Sequence, residues 1–310
     1  MKIAIAGSGA LGSRFGYMLY EAGNDVILID KWKEHIDSIR ENGLIVQDGN
    51  NRKIVNIPIF YPHEVAEEVD LVFVFTKSMG LQDMLEDIKP ILGENTSVIS
   101  LLNGIGHEDI LKEYLPVKNI FMGVTIYTSG LKGSGHVIFE GSGTIEIQNF
   151  TPGDREEKKA LQLVGMLNQA GFKAYYSEDV THSIWRKACV NGAMNAICAL
   201  LDCNLAEFVS TNQAEIIIRH IAKEFVKVAR EKGTILDEDD IVEYILQSSR
   251  KVGSHYPSMH QDLIQNHRLT EVYFLNGAVA RMSKELSFET PYNTFITQLI
   301  HAKEQIIMDE

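Results

Sequence analysis

One lysine and two asparagines form a regular row in an apolar segment near the middle of the chain. The segment WRKACVNGAMNAICALL extends from Trp185 to Leu201, and Lys187, Asn191 and Asn195 stand at intervals of four residues within it. On a helix these three side chains drift by only about 80° around the axis, so they share one face. Because an unpaired buried ammonium is costly, the row either faces solvent or lines a cleft. The apolar residues on both sides favour the cleft.

Side chains of these types suit the reduction of a ketone. A lysine can protonate the carbonyl oxygen as hydride arrives at the carbon, and asparagine amides can hold the hydroxyl and carboxylate groups of a substrate. This reaction does not require a metal ion. We therefore expect Lys187 to act as a general acid, with Asn191 and Asn195 as substrate contacts. Partial burial would lower the pKa of this lysine.

The start of the chain carries a glycine pattern that is typical of dinucleotide binding. Gly7, Gly9 and Gly12 have G-x-G-x-x-G spacing, after the apolar run KIAIA and before a helical pattern. In this motif the first glycine makes a turn, the second lets the backbone approach a pyrophosphate, and the third lets the helix pack on the strand. Amides at the helix N-terminus then face the phosphates. The predicted cofactor loop consists of Gly7, Ser8, Gly9, Ala10, Leu11 and Gly12.

The residue that ends the second predicted strand bears on which dinucleotide binds. Asp30 closes DVILID, eighteen residues beyond Gly12. A carboxylate here accepts hydrogen bonds from ribose hydroxyls and repels a 2′-phosphate, which favours NAD(H) over NADP(H). Two alternatives remain open: Lys31 and Lys33 could bind a phosphate, or Asp30 could cap the next helix.

Strand and helix patterns alternate over the first half of the chain. Apolar runs such as LVFVFTK and SVISLLNG are typical of parallel strands with helices on both faces. The segment GHVIFEGSGTIEIQNF predicts an antiparallel hairpin added to that sheet. After Ser177 only helical patterns remain, and they cover Val180–Leu201, Gln213–Lys232, Asp237–Gln247 and Thr270–Leu286.

These patterns predict an α/β protein of two domains. Residues 1–177 would form a Rossmann-type, doubly wound parallel sheet that binds the dinucleotide. Residues 178–310 would form an all-helical domain for substrate binding and dimerisation. Because this domain has apolar residues to spare, we expect a homodimer.

Composition and charge restrict the partners of the chain. Its 310 residues are 45% hydrophobic and carry a formal net charge of −13. Such a surface repels phosphate backbones and anionic membranes, so neither nucleic acid nor a membrane is expected as a partner. The sequence shows neither a signal-peptide pattern nor an apolar run of the ~18 residues that span a bilayer. Cys189, Cys198 and Cys203 fit small core residues in a reducing cytoplasm.

Two other polar clusters have structural explanations. His255, His260 and His267 lie close in sequence, but their spacing is not H-E-x-x-H and no carboxylate completes a zinc set, so no metal site is predicted. The acidic run DEDD from Asp237 to Asp240 predicts a helix N-terminus.

The chain resembles the ketopantoate reductase family, the 2-dehydropantoate 2-reductases, over nearly its whole length. The glycine loop is common to dinucleotide enzymes, whereas the K-x-x-x-N-x-x-x-N row with a later S-M-x-Q-D and T-E is far more specific. The motifs that carry the resemblance are GSGALG at Gly7–Gly12, Lys77 in FTKS, Asn103 in LLNG, Lys187 and Asn191 in WRKACVN, Asn195, Ser258 in SMHQD, and Glu271 in TEVYFLNG.

The resemblance implies a Rossmann domain and a helical domain with the active site between them. It implies that Lys187 is the catalytic general acid and that Glu271 is the carboxylate that helps to hold the substrate and tunes the lysine. Because Glu271 would oppose the effect of burial, the net direction of the lysine pKa stays open. The implied substrate contacts are Asn103, Asn191, Asn195 and Ser258, and the implied contacts at the nicotinamide end of the site are Lys77, Asn103 and Glu271.

The implied reaction is the reduction of a 2-oxo acid, ketopantoate, to its D-2-hydroxy acid, pantoate, with NAD(P)H. Three residues depart from the family pattern: Leu205 replaces an asparagine, Tyr273 replaces an aspartate, and Asp30 stands where a basic residue is common. They suit an alternative within the superfamily, an NADH-dependent D-2-hydroxyacid dehydrogenase for bulky branched or aromatic 2-oxo acids. An alternative of another class is a nicotinamide-binding sensor without catalytic activity.

Overall fold

The chain folds into two compact units. The computed structural model describes residues 1–151 and 153–309. The first unit comprises Met1–Leu102 and His107–Val180, and the second comprises Asn103–Gly106 and the chain from Thr181 onward. Each unit has a hydrophobic core of its own.

Strands and helices alternate through the first unit. In chain order they are β1 (Lys2–Ala6), α1 (Ala10–Glu21), β2 (Asp25–Ile29), α2 (Lys33–Asn42), β3 (Leu44–Asp48), β4 (Asn51–Val55), β5 (Ile59–Phe60), β6 (Leu71–Val74), α3 (Leu81–Asp87), β7 (Ser97–Ser100), α4 (His107–Tyr114), β8 (Ile120–Thr125), β9 (Ser129–Leu131), β10 (His136–Phe139), β11 (Ile145–Asn149), α5 (Asp154–Gln169) and β12 (Ala174–Tyr176).

The main sheet has eight strands in the order β12-β11-β8-β7-β6-β1-β2-β5. Neighbouring strands from β8 to β5 pair in parallel, and β11 joins β8 antiparallel. The apolar strand β6 is buried throughout and β1 nearly so, as expected for a sheet that is covered on both faces. The chain runs outward from β1 to β5 and returns to β6 on the other side of β1. In such doubly wound sheets, ligands bind at the carboxyl ends of the strands where the order reverses, here β1 and β6.

A second sheet, of four strands in the order β4-β3-β10-β9, corrects one prediction. The predicted hairpin is wrong, because β10 pairs with β9 and β3 whereas β11 pairs with β8 in the main sheet. Hydrophobic alternation does not reveal which partner each strand takes. The connection after β10 is fixed by Arg14, whose guanidinium donates to the carbonyl oxygens of Thr128 and Gly141 at 2.8 and 2.5 Å. Gly133 and Gly135, both with positive φ, lie in the turn between β9 and β10.

The second unit is helical throughout its described part. Its elements are α6 (Val180–Leu201), α7 (Leu205–Val209), α8 (Ala214–Glu231), α9 (Glu238–Val252), α10 (Ser258–His260) continued by a π-helical turn (Gln261–Gln265), a 3-10 turn (Val272–Phe274), α11 (Asn276–Glu285) and α12 (Pro291–Met308). The predicted fold class, a Rossmann-type α/β sheet followed by an all-helical part, is therefore confirmed.

The predicted helices of this unit are confirmed with two corrections. α6 has the predicted bounds, and α9 follows Asp237, whose carboxylate accepts a hydrogen bond from the N–H of Asp240 at 2.9 Å. Thr270–Leu286 is not one helix, because the 3-10 turn and the non-helical backbone of Leu275 (φ −112°, ψ −104°) separate Glu271 from α11. α12 was not predicted, because apolar side chains on two of its sides blur the helical periodicity.

The apolar character of α6 reflects burial within its own unit. Cys189 and Cys198 are fully buried there, as predicted, and Cys203 is half-buried; all three thiols are free. None of the helices that the structure describes combines the length and the apolar surface needed to cross a lipid bilayer.

The three glycines of the loop after β1 face different surroundings. Gly7 has φ of +94°, and a Cβ there would lie 2.6 Å from the backbone nitrogen of Thr76. A Cβ on Gly12 would lie 2.0 Å from the carbonyl oxygen of Gly7, so this glycine permits α1 to approach the loop. A Cβ on Gly9 would meet no atom within 4 Å. Two of the glycines are thus required by the fold itself, while the third faces open space.

Replacing these glycines separates a structural role from a binding role. We expect Gly12→Ala to destabilise the first unit by about 1–3 kcal/mol or more, because the methyl group overlaps backbone that cannot move aside. Gly9→Ala should leave the melting temperature within about 1 °C of wild type, since each kcal/mol corresponds to roughly 2–4 °C at this domain size. Thermal unfolding monitored by circular dichroism measures both. Equal melting temperatures for the two variants would contradict the assigned role of Gly12.

Candidate active site

One pocket in the helical unit collects most of the residues predicted to bind substrate. Its volume is about 210 Å³, part of it open to solvent. Five polar residues singled out from the sequence line it, together with three residues that were not. The lining residues are Asn103, Asn191, Asn195, Ser258, Met259, Asp262, Glu271 and Leu275.

The amides of α6 lie on the wall of this pocket. Asn195 is buried, and its Nδ2 donates to the Oγ of Ser258 at 3.3 Å. The orientation of α6 is fixed at Gly192, where a Cβ would lie 2.6 Å from the ring of Phe225. The side chain of Asn276 also donates to the carbonyl oxygen of Gly192, at 3.0 Å. Two members of the polar row, Asn191 and Asn195, therefore border a pocket instead of open solvent.

Glu271 is held at the pocket by its neighbours along the chain. It is 8% exposed and directly precedes the 3-10 turn. The N–H of Thr270 donates to the Oε1 of Glu304 at 2.7 Å, and the other oxygen of that carboxylate lies 2.8 Å from the Nδ1 of His301. Because Thr270 and Glu304 are themselves buried, α12 fixes the backbone that carries Glu271.

Lys187 precedes Asn191 by one helical turn and is half-buried. Lys187 does not line the pocket itself. Its charge interacts with that of Glu271, which does line the pocket. Burial lowers the pKa of Lys187 to about 8, and the Glu271 carboxylate acts in the opposite direction. The sequence left open whether the pKa of Lys187 is raised or lowered. It is lowered, because the effect of burial exceeds that of Glu271.

Asn103 reaches the pocket from a short segment that belongs to the helical unit although it lies far away in sequence. Within this segment, Asn103–Gly106, the N–H of Ile105 donates to the carbonyl oxygen of Phe274 at 2.9 Å. Gly104 has φ of +106°, and a Cβ there would lie 2.3 Å from that same oxygen. The segment therefore packs tightly against the turn that follows Glu271.

The predicted cofactor residues other than Asn103 and Glu271, which belong to the helical unit, lie in the first unit at the carboxyl ends of β1, β2 and β6. The glycine loop follows β1, and Lys77, which is exposed, stands three residues after the end of β6. No side chain caps the N-terminus of α1, so its first N–H groups remain available for a phosphate. Together with the open space beside Gly9, these features fit the pyrophosphate of a dinucleotide.

The carboxylate of Asp30 faces the glycine loop. Its Oδ2 accepts hydrogen bonds from the N–H and Oγ of Ser8 at 2.7 and 3.1 Å, and its Oδ1 accepts from the N–H groups of Lys31 and Trp32. It does not cap α2, whose N-cap is Trp32. Lys31 lies 2.6 Å from Asp87, and Lys33 is bonded to Asp37. Both lysines that could have bound a phosphate thus have carboxylate partners.

Comparisons with known proteins agree with the motifs. Residues 3–152 match the family described as "Ketopantoate reductase PanE/ApbA", and residues 179–304 match "Ketopantoate reductase PanE/ApbA C terminal". The chain belongs to the ketopantoate reductase family. A 2-dehydropantoate 2-reductase of Streptococcus pyogenes serotype M3 is 48% identical over 307 residues, and one of Lactococcus lactis subsp. lactis is 44% identical over 311 residues; each comparison covers 99% of both chains.

A solved structure supports the same assignment. The ternary structure of D-mandelate dehydrogenase with NADH and anilino(oxo)acetate is similar to this chain with a TM-score of 0.95, at 46% identity over 99% of each chain. The family resemblance inferred from the sequence is confirmed, and so is the prediction that the chain is an oxidoreductase.

The two departures from the ketopantoate reductase pattern in the helical unit lie outside the pocket lining. Leu205 begins α7 and is 9% exposed. Tyr273 is exposed, and its ring packs under the guanidinium of Arg281 at 3.4 Å. Neither change therefore alters the walls of the pocket directly.

Three residues that line the pocket of this ketopantoate reductase family member were not predicted from the sequence. Met259 and Leu275 supply its apolar surface, and Asp262 lies buried 3.1 Å from the guanidinium of Arg268. The signal for two of them was present, since Ser258, Met259 and Asp262 share the motif SMHQD. The turn from α10 into a π-helix, a feature frequent at functional sites, follows directly. Among the described residues, no group of three or more His, Cys, Asp or Glu side chains could hold a metal ion.

The pKa of Lys187 predicts how the redox reaction of this family responds to pH. If the ammonium donates a proton to the ketone, kcat/KM for reduction should fall as the pH rises through about 8. The reverse oxidation needs the neutral amine, so its kcat/KM should rise over the same range. Glu271→Gln removes the charge that raises the lysine pKa, so both transitions should move to lower pH. Profiles of kcat/KM against pH, from about pH 6 to 10, test this prediction. A transition that lies at higher pH in the Glu271→Gln variant than in wild type would contradict it.

Proposed function

We propose that this chain reduces a 2-oxo acid to its D-2-hydroxy acid with a reduced nicotinamide cofactor, and that the substrate is ketopantoate and the product pantoate. The observation that carries the proposal is the half-buried Lys187, with a pKa of about 8, coupled to a carboxylate of a small polar pocket. The names of the 44–48% identical relatives support the substrate.

The residues of the helical unit have distinct roles in this proposal. The Nζ of Lys187 donates a proton to the carbonyl oxygen of the substrate and regains one from solvent afterwards. Asn191 and Asn195 donate hydrogen bonds to the hydroxyl and carboxylate groups of the substrate. Ser258 adds a hydroxyl that already accepts from Asn195 at 3.3 Å, which orients the amide before substrate binds. Glu271 and Asn103, which also line the pocket, help to hold the substrate.

The proposed cofactor is NAD(H), favoured over NADP(H). When bound, the reduced nicotinamide supplies the hydride. The backbone of the Gly7–Gly12 loop would hold the pyrophosphate, and Lys77 would lie toward the nicotinamide. Asp30 supports the preference because its carboxylate would accept from ribose hydroxyls and repel a 2′-phosphate. The ion pair of Lys31 with Asp87 leaves that ammonium less available to a phosphate.

The substrate domain is proposed to cover residues 178–310 and the dinucleotide domain residues 1–177. A homodimer working in the reducing cytoplasm remains part of the proposal. A sensor without catalytic activity is not favoured, since Lys187 and Glu271 are both present and electrostatically coupled.

A second candidate, an NADH-dependent D-2-hydroxyacid dehydrogenase for aromatic or branched 2-oxo acids, is favoured by two observations. Met259 and Leu275 give the pocket an apolar part, which suits the apolar group of such substrates. The D-mandelate dehydrogenase with a TM-score of 0.95 was solved with NADH and anilino(oxo)acetate.

An assay at the nicotinamide absorbance band separates these possibilities. Wild type should oxidise NADH with ketopantoate faster than with phenylglyoxylate or branched 2-oxo acids. Lys187→Ala should lose roughly 10²–10⁴-fold in kcat, the usual contribution of general acid catalysis, while binding NADH normally by fluorescence titration.

The matched control is Lys223→Ala, which removes an exposed lysine of α8 in the same unit and should keep full activity. Phenylglyoxylate as the best substrate would replace the first candidate by the second. Normal turnover of Lys187→Ala would remove this lysine from the mechanism, and a wild type inactive with every 2-oxo acid would contradict the proposal.

The role of Asp30 predicts a shift in cofactor preference. Asp30→Ala should lower kcat/KM for NADH, because the acceptor for the ribose hydroxyls is lost. The ratio of kcat/KM with NADH to kcat/KM with NADPH should fall by at least about tenfold, or roughly 1.4 kcal/mol, because repulsion of the 2′-phosphate is also relieved. Asp25→Ala, which removes an exposed carboxylate at the start of the strand that Asp30 follows, should leave this ratio unchanged. A wild type that prefers NADPH, or a ratio that Asp30→Ala does not alter, would overturn this assignment.

A further inference from the structure

Two of the three cysteines meet at the C-terminal end of α6. The backbone N–H of Cys203 donates to the carbonyl oxygen of Cys198 at 3.1 Å, and Asp202, which precedes Cys203, has a positive φ of 52°. This is the Schellman turn that commonly ends a helix, and the residues at these two positions frequently contact each other. Because the bonded nitrogen and oxygen belong to the two cysteines, their Cα atoms are at most about 7 Å apart, close to the span of a disulfide.

The side chains of the two cysteines are in contact as well. Their thiols share a hydrogen bond. Cys198 is fully buried, whereas Cys203 is half-buried. A reagent in solution can therefore reach Cys203, and the thiol of Cys198 is close enough to displace that reagent.

The last helix holds this turn in place. The Nζ of Lys303, on α12, donates to the carbonyl oxygens of Ala199 and Leu200 at 2.7 and 3.4 Å. These are two of the carbonyl groups that a helix end leaves without a partner inside the helix. Because they are bound, the turn is already ordered, and little conformational freedom is lost when the two sulfurs bond.

Asp202 connects the turn to the wall of the substrate pocket. Glycine is the usual residue at this left-handed position, but here a carboxylate stands there, with its Oδ1 2.8 Å from the Nε2 of the buried His260. His260 ends the short helix α10, which begins at Ser258. Ser258 lines the pocket and accepts a hydrogen bond from Asn195. One polar contact therefore links the end of α6 to the substrate-binding hydroxyl.

The chain that follows the turn is bonded to the same segment. The N–H groups of Leu205 and Ala206 donate to the carbonyl oxygens of His255 and Gly253 at 3.2 and 3.1 Å. The segment so bonded leads directly into Ser258. A displacement of the turn is therefore transmitted to the pocket wall through the backbone as well.

We propose that Cys198 and Cys203 form a reversible oxidation site, which a low-molecular-weight disulfide closes to a disulfide between the two residues. Closure displaces the turn and weakens substrate binding at the pocket. The effect on substrate rests on the proposed function, whereas the disulfide itself does not. In a reducing compartment the bond forms only when low-molecular-weight disulfides accumulate.

The exchange with such a reagent, RSSR, proceeds in two steps. The thiol of Cys203 loses its proton, and its sulfur attacks one sulfur of RSSR, which breaks the S–S bond and releases RS⁻. The sulfur of Cys198, after losing its proton, attacks the Cys203 sulfur of the mixed disulfide and releases the second RS⁻. The two RS⁻ ions take up the two protons. Two thiols of the protein are thus oxidised to one disulfide, and one RSSR is reduced to two RSH.

The surroundings of the thiols make this exchange slow at neutral pH. Burial raises the pKa of both thiols; at Cys203 the hydrogen bond with Cys198 acts in the opposite direction, while the carboxylates of Glu207 and Asp202 add to the effect of burial. Because the thiolate is the attacking species, oxidation should be faster in alkaline solution. The reduced pair gains no stability from a thiolate, in contrast to strongly oxidising dithiols, which favours the disulfide once it has formed.

Mass spectrometry of the full chain after treatment with glutathione disulfide tests the site. Wild type should lose two hydrogen atoms, and dithiothreitol should restore the starting mass. Cleavage before Asp202 by an aspartate-specific protease should leave two peptides joined through a disulfide to Cys203. Cys189→Ala, the matched control, removes the other buried thiol and should oxidise like wild type, so that the link can involve only Cys198.

A variant that lacks the second thiol should trap the intermediate. Cys198→Ala, which removes one sulfur from a buried position, should stop at the mixed disulfide and carry one glutathione on Cys203. A wild type that keeps three free thiols would overturn the proposal. A wild type that retains glutathione on Cys203, or that links Cys203 to Cys189, would overturn it as well.

Steady-state kinetics of the reduced and the oxidised protein test the effect on the pocket. KM for the 2-oxo acid should rise by about two- to tenfold on oxidation, the contribution of one hydrogen bond. The affinity for NADH, measured by fluorescence titration, should stay the same, because the predicted pyrophosphate and ribose contacts lie in the first unit. An unchanged KM would overturn the connection between the turn and the pocket. A reduced wild type that is inactive with every 2-oxo acid would instead contradict the proposed function, and the mass measurement does not depend on it.

Replacing Asp202 separates the polar contact from the disulfide. Glycine suits the left-handed backbone at this position, so Asp202→Gly should fold like wild type. Because the carboxylate next to His260 is lost, its KM should already be raised in the reduced protein, while kcat stays near that of wild type. Oxidation should raise this KM by a smaller factor than in wild type. A reduced Asp202→Gly variant with the KM of wild type would overturn the positioning role of Asp202.

Discussion

The site depends on the balance between the burial of Lys187 and the charge of Glu271. Burial removes water from the ammonium and favours its neutral form, while the carboxylate favours the charged form. Burial dominates, so the pKa falls to about 8. A lysine with an ordinary pKa would hold its proton too tightly to serve as an acid near neutral pH, and without the nearby carboxylate the pKa of Lys187 would be lower still. The helical unit provides a position between these extremes.

Several buried polar contacts keep this balance in place, and α12 supplies most of them. Glu304 fixes the N–H of Thr270, and so the backbone before Glu271. Asn293 accepts from Asn276, whose amide also donates to α6 at Gly192, and Glu224 accepts from Asn293 in turn. Because these groups are buried, loss of one partner would leave another unsatisfied. The buried side of α12 thus positions both α6 and the segment that carries Glu271.

Much of this arrangement could be predicted from the sequence. The four-residue interval of Lys187, Asn191 and Asn195 placed them on one face, and apolar runs around G-x-G-x-x-G indicated the parallel sheet. Other features depend on tertiary contacts that no local pattern records. Near β10, for example, Arg14 donates to the carbonyl oxygens of Thr128 and Gly141, which lie more than one hundred residues away in sequence. α12 was missed because the exposed Phe295 and Ile306 are as apolar as the buried Ile296 and Ile300, so hydrophobicity does not single out one face of this helix.

Direct titration of the Lys187 amine tests the central claim without reference to any substrate. Lysine side chains can be labelled by reductive ¹³C-methylation, and Lys187 can be assigned by its absence from a Lys187→Arg variant. Its NMR signal should titrate near pH 8, and in Glu271→Gln at a lower pH. A Lys187 signal that titrates at the ~10.4 of a lysine in a model peptide would contradict the account.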